Sequence, residues 1–162
     1  MSRTPTIVAM DLEGVLIPEV WIAVAEATGI EKLRLTTRDV ADYDELMRGR
    51  LKLLDEHGLT LADIQAVIET MEPLPGARDY LESLRRHPLI EVIILSDTYY
   101  EFASPFMRKL GWPTLFCNSL TVDGDGRVTD YVIRLKDGKR KAVAAFRPLN
   151  FQVVATGDSY ND

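Results

Sequence analysis

The 162-residue chain has a single cysteine, Cys117, which excludes an internal disulfide and any cysteine-rich zinc site. A reducing compartment is the simpler setting, with Cys117 as a small apolar strand residue. Long hydrophobic runs are also missing. The N-terminus reaches Asp11 before an apolar stretch of signal-peptide length has formed, and no later run approaches the roughly 20 residues that span a bilayer. The expectation is a soluble, cytoplasmic protein with no membrane partner. Positive charge is in deficit: 19 Lys and Arg stand against 25 Asp and Glu, for a net charge of -6. No overall field therefore holds nucleic-acid phosphates, and any anionic substrate has to be captured locally. Repeats and low-complexity segments are absent. What remains is ordinary globular composition, 46% apolar and 27% charged, enough for one domain plus an insertion.

Three short apolar runs end in small polar or acidic residues. Pro5 to Met10 stops at Asp11, Ile90 to Leu95 stops at Ser96-Asp97-Thr98, and Phe151 to Thr156 stops at Gly157-Asp158-Ser159. Each reads as a buried parallel strand that delivers a side chain to its end. Ligands of open α/β sheets bind beyond the carboxyl ends of the strands, so residues far apart in sequence are expected to converge there.

Between the first two strands the pattern turns helical. Pro18 to Thr28 carries Trp21, Val24, Ala25 and Thr28 on one face and ends at Gly29, a C-cap. Thr37 to His57 reads as a long helical segment closing at Gly58, and Thr60 caps Leu61 to Met71. Residues 18–74 are too helical for a loop and are expected to form a cap packed over the strand ends. Arg78 to Arg86 is a crossover helix, and Glu101 to Leu110 reads as helical, stopped by Gly111-Trp112-Pro113. Leu115 to Val122 and Val128 to Leu135 flank Asp123-Gly124-Asp125-Gly126, a hairpin signal. Its acidic spacing invites a calcium loop, but Arg127 occupies a ligand position and the closing Glu is missing, so a plain turn is expected. His57 and His87 read as helix-end residues.

Four motifs carry chemistry. In Asp11-Leu12-Glu13-Gly14-Val15, alternation along an extended backbone sends Asp11 and Glu13 to one side, and Gly14 allows a sharp turn. Such a carboxylate pair can bind a divalent metal, or divide labour as nucleophile and general acid/base; acids after strands are also ordinary helix caps. In Leu95-Ser96-Asp97-Thr98 a hydroxyl and the N–H groups of a helix start could hold phosphate oxygens, or simply form an N-cap. Lys136 to Lys141 is a cationic cluster in an acidic chain, usually a solvated surface. Gly157-Asp158-Ser159-Tyr160-Asn161-Asp162 again sets acids after a strand, a donor set that suits magnesium.

In this order the motifs resemble those of the haloacid dehalogenase (HAD) superfamily of phosphotransferases. That pattern is an Asp-x-Asp-Gly-Thr/Val motif, a strand-end Ser or Thr, a Lys, and a Gly-Asp-x-x-x-Asp motif; here Asp11, Ser96, Lys139 and the Asp158/Asp162 pair match it. The longer strings DLEGVL, PEVWIAVAEATGI, TTRDVADYDELM, RLKLLDEHGL, ILSDTYYEF and GDSYND are similar to its phosphoserine phosphatase/homoserine phosphotransferase branch. The resemblance implies an α/β fold: a Rossmann-like parallel sheet from residues 1–17 plus 75–162, with residues 18–74 as a small inserted helical cap. It further implies a Mg²⁺-dependent phosphoserine phosphatase acting on O-phosphoserine through an aspartyl-phosphate, with homoserine as a second acceptor.

The roles implied by the resemblance fall on individual residues. Asp11 would be the nucleophile and Glu13 the acid/base. The metal would be held by the Asp11 carboxylate, the Glu13 backbone carbonyl and Asp158, with Asp162 supporting its shell. Ser96 and Lys139 would bind phosphoryl oxygens, with Asp97 touching ligand through its backbone and Asn161 near the phosphate. Glu19 would hold the substrate amino group and Arg50 its carboxylate, as a forked guanidinium can; the plain alternative for both is an exposed helix face. Most of the superfamily has Asp at the position of Glu13, whereas Glu is expected in the resembled branch. The chain stops at Asp162, inside the fourth motif, where the family continues with another helix and strand; a C-terminal truncation, less stable or less active than a longer chain, is the expectation. A phospho-accepting receiver domain is the rival reading, but receivers lack a helical cap between the acidic and the hydroxyl-bearing strand. An inactive truncated homologue is the other rival. The sequence admits a homodimer.

Overall fold

The computed structural model describes residues 4–157. Asp158, Asn161 and Asp162 lie outside them. The run TIVAM forms β1 (Thr6–Met10), buried from Ile7 to Met10 because both of its faces are covered. β1 lies in the middle of the sheet, parallel to β2 (Ile90–Tyr99) on one side and β5 (Gln152–Thr156) on the other. Met10 sits opposite both Ile94 and Thr156, so the residues that follow these positions leave the sheet at one common edge. β3 (Thr114–Val122) extends the sheet in parallel, and β4 (Val128–Val132) returns antiparallel to give the order β4-β3-β2-β1-β5. The α/β class and its parallel-dominated sheet are those expected from the strand pattern.

The helices are α1 (Val20–Thr28), α2 (Tyr43–Glu56), α3 (Leu61–Thr70), α4 (Ala77–Arg85), α5 (Tyr100–Lys109) and α6 (Gly138–Phe146). α1 ends where Gly29 takes φ 72°, and its N–H returns to the Ala25 carbonyl. Thr60 and Asp63 form a reciprocal capping box on α3. The turn between β3 and β4 is a plain one: Asp123 Oδ1 accepts the N–H groups of Asp125 and Arg127, each at 2.9 Å, so this carboxylate serves the turn itself.

Three expectations need correction. α2 starts at Tyr43 rather than Thr37, because Asp39 accepts the Thr36 N–H at 2.9 Å upstream and Asp42 caps the helix through the Glu45 N–H. β2 does not stop at Leu95 but runs to Tyr99, so Ser96 and Thr98 lie within a strand and not on a helix cap. β4 stops at Val132, short of Leu135, where the Arg134 N–H leaves the ladder for the Asn118 side chain. The cationic stretch after it runs into α6, where Lys136, Arg140 and Lys141 are exposed as a solvated cluster should be and Lys139 is half-buried.

One continuous apolar cluster runs from the sheet through the inserted helices, joining Met10 and Ile94 to Trp21, Met47, Ile64 and Phe106. Trp21 of α1 meets Phe102 of α5 edge-to-face at 5.3 Å, and Gln65 Nε2 of α3 donates to the Glu101 carbonyl at 3.0 Å. The opposite face of the sheet is smaller: Ile7, Ala9 and Leu95 pack against Val143 and Phe146 of α6. Phe106 is fully buried in the large cluster. Phe106→Ala should therefore lower unfolding free energy by about 3–5 kcal/mol, measured by denaturant titration, because packed surroundings close only partly over the cavity. No helix among the described residues is long and apolar enough to cross a membrane.

Candidate active site

The site is built on the loop that leaves β1. Asp11 continues the ladder, its N–H donating to the Thr156 carbonyl at 3.1 Å, and the chain then folds back on itself. The Leu16 and Ile17 N–H groups both donate to the Leu12 carbonyl, at 2.8 and 3.1 Å, and Gly14 makes the reversal at φ 75°. Leu12, Leu16 and Ile17 are buried and anchor this loop from below. Its polar residues, Asp11 and Glu13, are left at the sheet edge.

Asp11 is only 12% exposed at its side chain and Lys139 only 14%. Lys139 Nζ donates to Asp11 Oδ2 at 2.6 Å, joining residues 128 positions apart, while Asp11 Oδ1 accepts the Leu12 N–H, also at 2.6 Å. The same ammonium stands 3.3 Å from Asp97 Oδ2. Lys139 gets there because it lies in the first turn of α6, which packs across β2 and β5. A charge pair this sheltered is screened far less by salt than a surface pair. Beside it, between β2, β3 and α6, opens a cavity of about 340 Å³ lined by Ser96, Asp97, Phe116, Arg134 and Lys139 among others.

Glu13 has a different environment. It is half-buried, and its Oε2 accepts the Val20 N–H at the start of α1 at 3.2 Å. Burial pushes its pKa up to about 8, and the neighbouring Glu19 carboxyl adds to the rise; the Thr98 hydroxyl and the Val20 N–H oppose it. Glu13 thus holds a proton at neutral pH, beside an aspartate that faces an ammonium. Two carboxyl groups driven apart in this way are suited to separate acid and nucleophile roles.

Ser96 and Thr98 are both buried, and the Thr98 N–H donates to Ser96 Oγ at 3.3 Å. They occupy an irregular stretch of β2: Leu95 pairs with Phe116 and Tyr99 with Asn118, so four steps on β2 face two on β3. A bulge of this kind re-aims side chains next to a site. Arg50 is 8% exposed, not the surface residue its charge would suggest. One terminal nitrogen donates to the Leu35 carbonyl at 2.6 Å, and the guanidinium stacks 4.6 Å above the Trp21 ring. Its Nε has no hydrogen-bond partner among the described residues, and burial pulls its pKa down. A buried guanidinium with no carboxylate partner among the described residues is poised to accept an anionic group. Glu19, the N-cap residue of α1, is exposed.

The loop also supplies oxygen donors for a cation. The Glu13 carbonyl accepts no hydrogen bond among the described residues, in contrast to that of Leu12, and lies close in sequence to the Asp11 carboxylate. Oxygens of this type fit magnesium, which takes one or two carboxylates and keeps its waters. Among the described residues no group of three acidic, His or Cys side chains gathers as a cage.

With these elements in place, the model of the haloacid dehalogenase-like hydrolases matches residues 5–162. The chain belongs to that family. The chain is 58% identical over 156 residues to the phosphoserine phosphatase of Pseudomonas syringae pv. tomato, covering 96% of the chain and 65% of that relative. It is 56% identical over 156 residues to phosphoserine phosphatase ThrH of Pseudomonas aeruginosa, covering 96% of the chain and 75% of that relative. The chain therefore spans 65% and 75% of the length of these two curated relatives. A solved phospho-aspartyl intermediate analogue of phosphoserine phosphatase shares its fold, with TM-score 0.79 at 20% identity over 99% of this chain and 81% of that one.

Of the sequence candidates, the structure brings together Asp11, Lys139 and Asp97, with Glu13, Ser96, Glu19 and Arg50 around them. Sequence reasoning missed Thr98, Tyr43, Tyr99 and Asn118. Tyr43 of α2 meets Tyr99 hydroxyl to hydroxyl at 2.6 Å and reaches the Asp97 carbonyl at 3.5 Å. Sequence periodicity places Tyr43 only within the helical segment Thr37 to His57, and nothing in its spacing names a partner 56 residues away.

Proposed function

We propose that this hydrolase is a phosphoserine phosphatase working through an aspartyl-phosphate. The observation that carries the reading is the contrast within one loop: a carboxylate held by Lys139, two residues before a carboxyl that keeps its proton near neutral pH. The relatives named phosphoserine phosphatase, at 58% and 56% identity, support the substrate. In this reading an Asp11 oxygen attacks phosphorus while the bond to the seryl oxygen breaks, and Glu13 gives its proton to that oxygen. The Glu13 carboxylate then takes a proton from water as its oxygen attacks phosphorus, releasing phosphate and restoring Asp11. Ser96 and Lys139 donate to the phosphoryl oxygens, where fixed donors count most as charge spreads.

Residues 18–74 act as the cap over a core of residues 1–17 and 75–162, with Arg50 facing the substrate carboxylate and Glu19 its ammonium. Magnesium would be held by the Asp11 carboxylate and the Glu13 carbonyl, with Asp158 as a further ligand, and supplies neutralisation of phosphoryl charge when bound. Asp162 and Asn161 keep the supporting and phosphate-proximal roles that the family pattern implies. An alcohol other than water could take the phosphoryl group, and homoserine added to the assay tests that branch.

The deciding experiment measures phosphate release from O-phosphoserine with and without EDTA. Metal-dependent release supports the reading; no release at any magnesium concentration removes it. Lys139→Ala should lower turnover by about 10²–10³, the loss expected when one fixed donor to developing charge is removed. A turnover within a factor of about three of the parent would detach Lys139 from the chemistry.

A further inference from the structure

Asn118 is buried, 5% exposed, in the middle of β3, with no charge and no place in the mechanism above. Both ends of its amide are engaged, and the partners dictate which way it points. Nδ2 donates to the Asp97 carbonyl at 3.0 Å; Oδ1 accepts the Arg134 N–H at 3.0 Å. Each bond stands where a backbone ladder has failed. On one side β2 and β3 lose register between Leu95 and Tyr99. On the other, β3 and β4 have Ser119 and Val132 as their end pair, before Arg134.

Both arms lead to Lys139. Asp97 carries the carboxylate 3.3 Å from Lys139 Nζ. Arg134 opens the short connection to α6, in which Asp137 takes φ 59° as the N-cap residue and accepts the Lys141 N–H at 3.1 Å. Arg134 is itself held down, its guanidinium 4.1 Å above the Phe116 ring. The result is a closed circuit from Asn118 through Asp97 to Lys139 and back through residues 134–138. We infer that Asn118 is a positioning residue: its amide sets the lysine ammonium against Asp11 and the Ser96 bulge, acting on phosphoryl transfer through Lys139 without touching substrate. The inference rests on the phosphomonoesterase reading of this site. Geometry of this kind matters because a misplacement of about 1 Å can slow a reaction about 100-fold.

The test is a double-mutant cycle of Asn118→Ala with Lys139→Ala, read both as kcat on O-phosphoserine and as inorganic phosphate binding by calorimetry. In the parent, Asn118→Ala should lower kcat about 10- to 100-fold, more than it changes KM, and weaken phosphate binding. In the Lys139→Ala background both effects should largely vanish, since the group being positioned is gone. A purely structural role instead predicts the same fold-loss in both backgrounds, and that outcome overturns the inference. Asn118→Asp keeps the acceptor for Arg134 but loses the donor to Asp97; it supplies the same cycle should the alanine variant not fold. Coupling in phosphate binding with no phosphate release by the parent would remove the phosphatase reading and leave the positioning role standing. No phosphate binding by the parent overturns the positioning role itself.

Discussion

Asp11→Asn should abolish phosphate release, with kcat falling by at least about 10⁴, the scale of loss when a covalent nucleophile is removed. The substitution is nearly isosteric, so the loss does not come from a disturbed loop. Leu12 N–H needs an acceptor 2.6 Å away, which fixes the amide oxygen at the Oδ1 position. The amide nitrogen then takes the place of Oδ2 and meets Lys139 Nζ donor to donor, where the parent has an ion pair at 2.6 Å. Attack on phosphorus is lost together with this ion pair, while Asp97 Oδ2 still stands 3.3 Å from Lys139 Nζ. Beryllofluoride with magnesium should trap a phosphoaspartate mimic in the parent and none in the variant, read by fluorine NMR. Unchanged turnover in Asp11→Asn would end the aspartyl-phosphate mechanism.

The origin of that pair shows where sequence reading succeeds and where it stops. β1 was legible because a parallel strand covered on both faces must be a short apolar run, and a run that ends in acids betrays its carboxyl end; β5 carries the same kind of run, but of its residues only Val153 is even half-buried, so the burial expected from that run does not hold there. Gly29, Thr60 and the Asp123 turn were legible because capping and turns are local chemistry, settled within a few residues. Lys139 was visible as a residue type but not as a partner: a cationic cluster in water and a lysine drawn 128 positions across the fold to Asp11 have the same sequence. The family resemblance supplied that link, not the spacing. Ser96 was expected at a helix start and lies in a bulged strand, because register loss depends on what β3 offers opposite, which no window of β2 contains. Arg50 reads as a solvated helix face until Trp21 and Leu35 close over it. Asn118 was invisible for the same reason: its role is defined wholly by two backbone groups brought to it by tertiary structure.

Glu13→Gln should slow turnover by about 10²–10⁴, the usual contribution of a positioned general acid, and yet stabilise the metal-free protein at alkaline pH. The sign follows from the direction of the shift. Burial and the adjacent Glu19 raise the Glu13 pKa from 4.5 to about 8, so between those values the folded chain keeps a proton that the unfolded chain gives up. Stability from this group is complete below pH 4.5 and is lost as pH climbs toward 8, since the unfolded state binds fewer protons across that window. Gln has no proton to release and can still accept the Val20 N–H, so the variant escapes the loss. In EDTA, the two unfolding curves should lie close at pH 5 and separate as pH rises, the variant ahead by about 4 kcal/mol at pH 8. In the parent, kcat/KM for phosphoserine should fall above about pH 8 as the acid loses its proton. Parallel stability profiles from pH 5 to pH 8 would mean that Glu13 titrates as an ordinary exposed carboxylate; the proton for the leaving seryl oxygen would then have to come from another group.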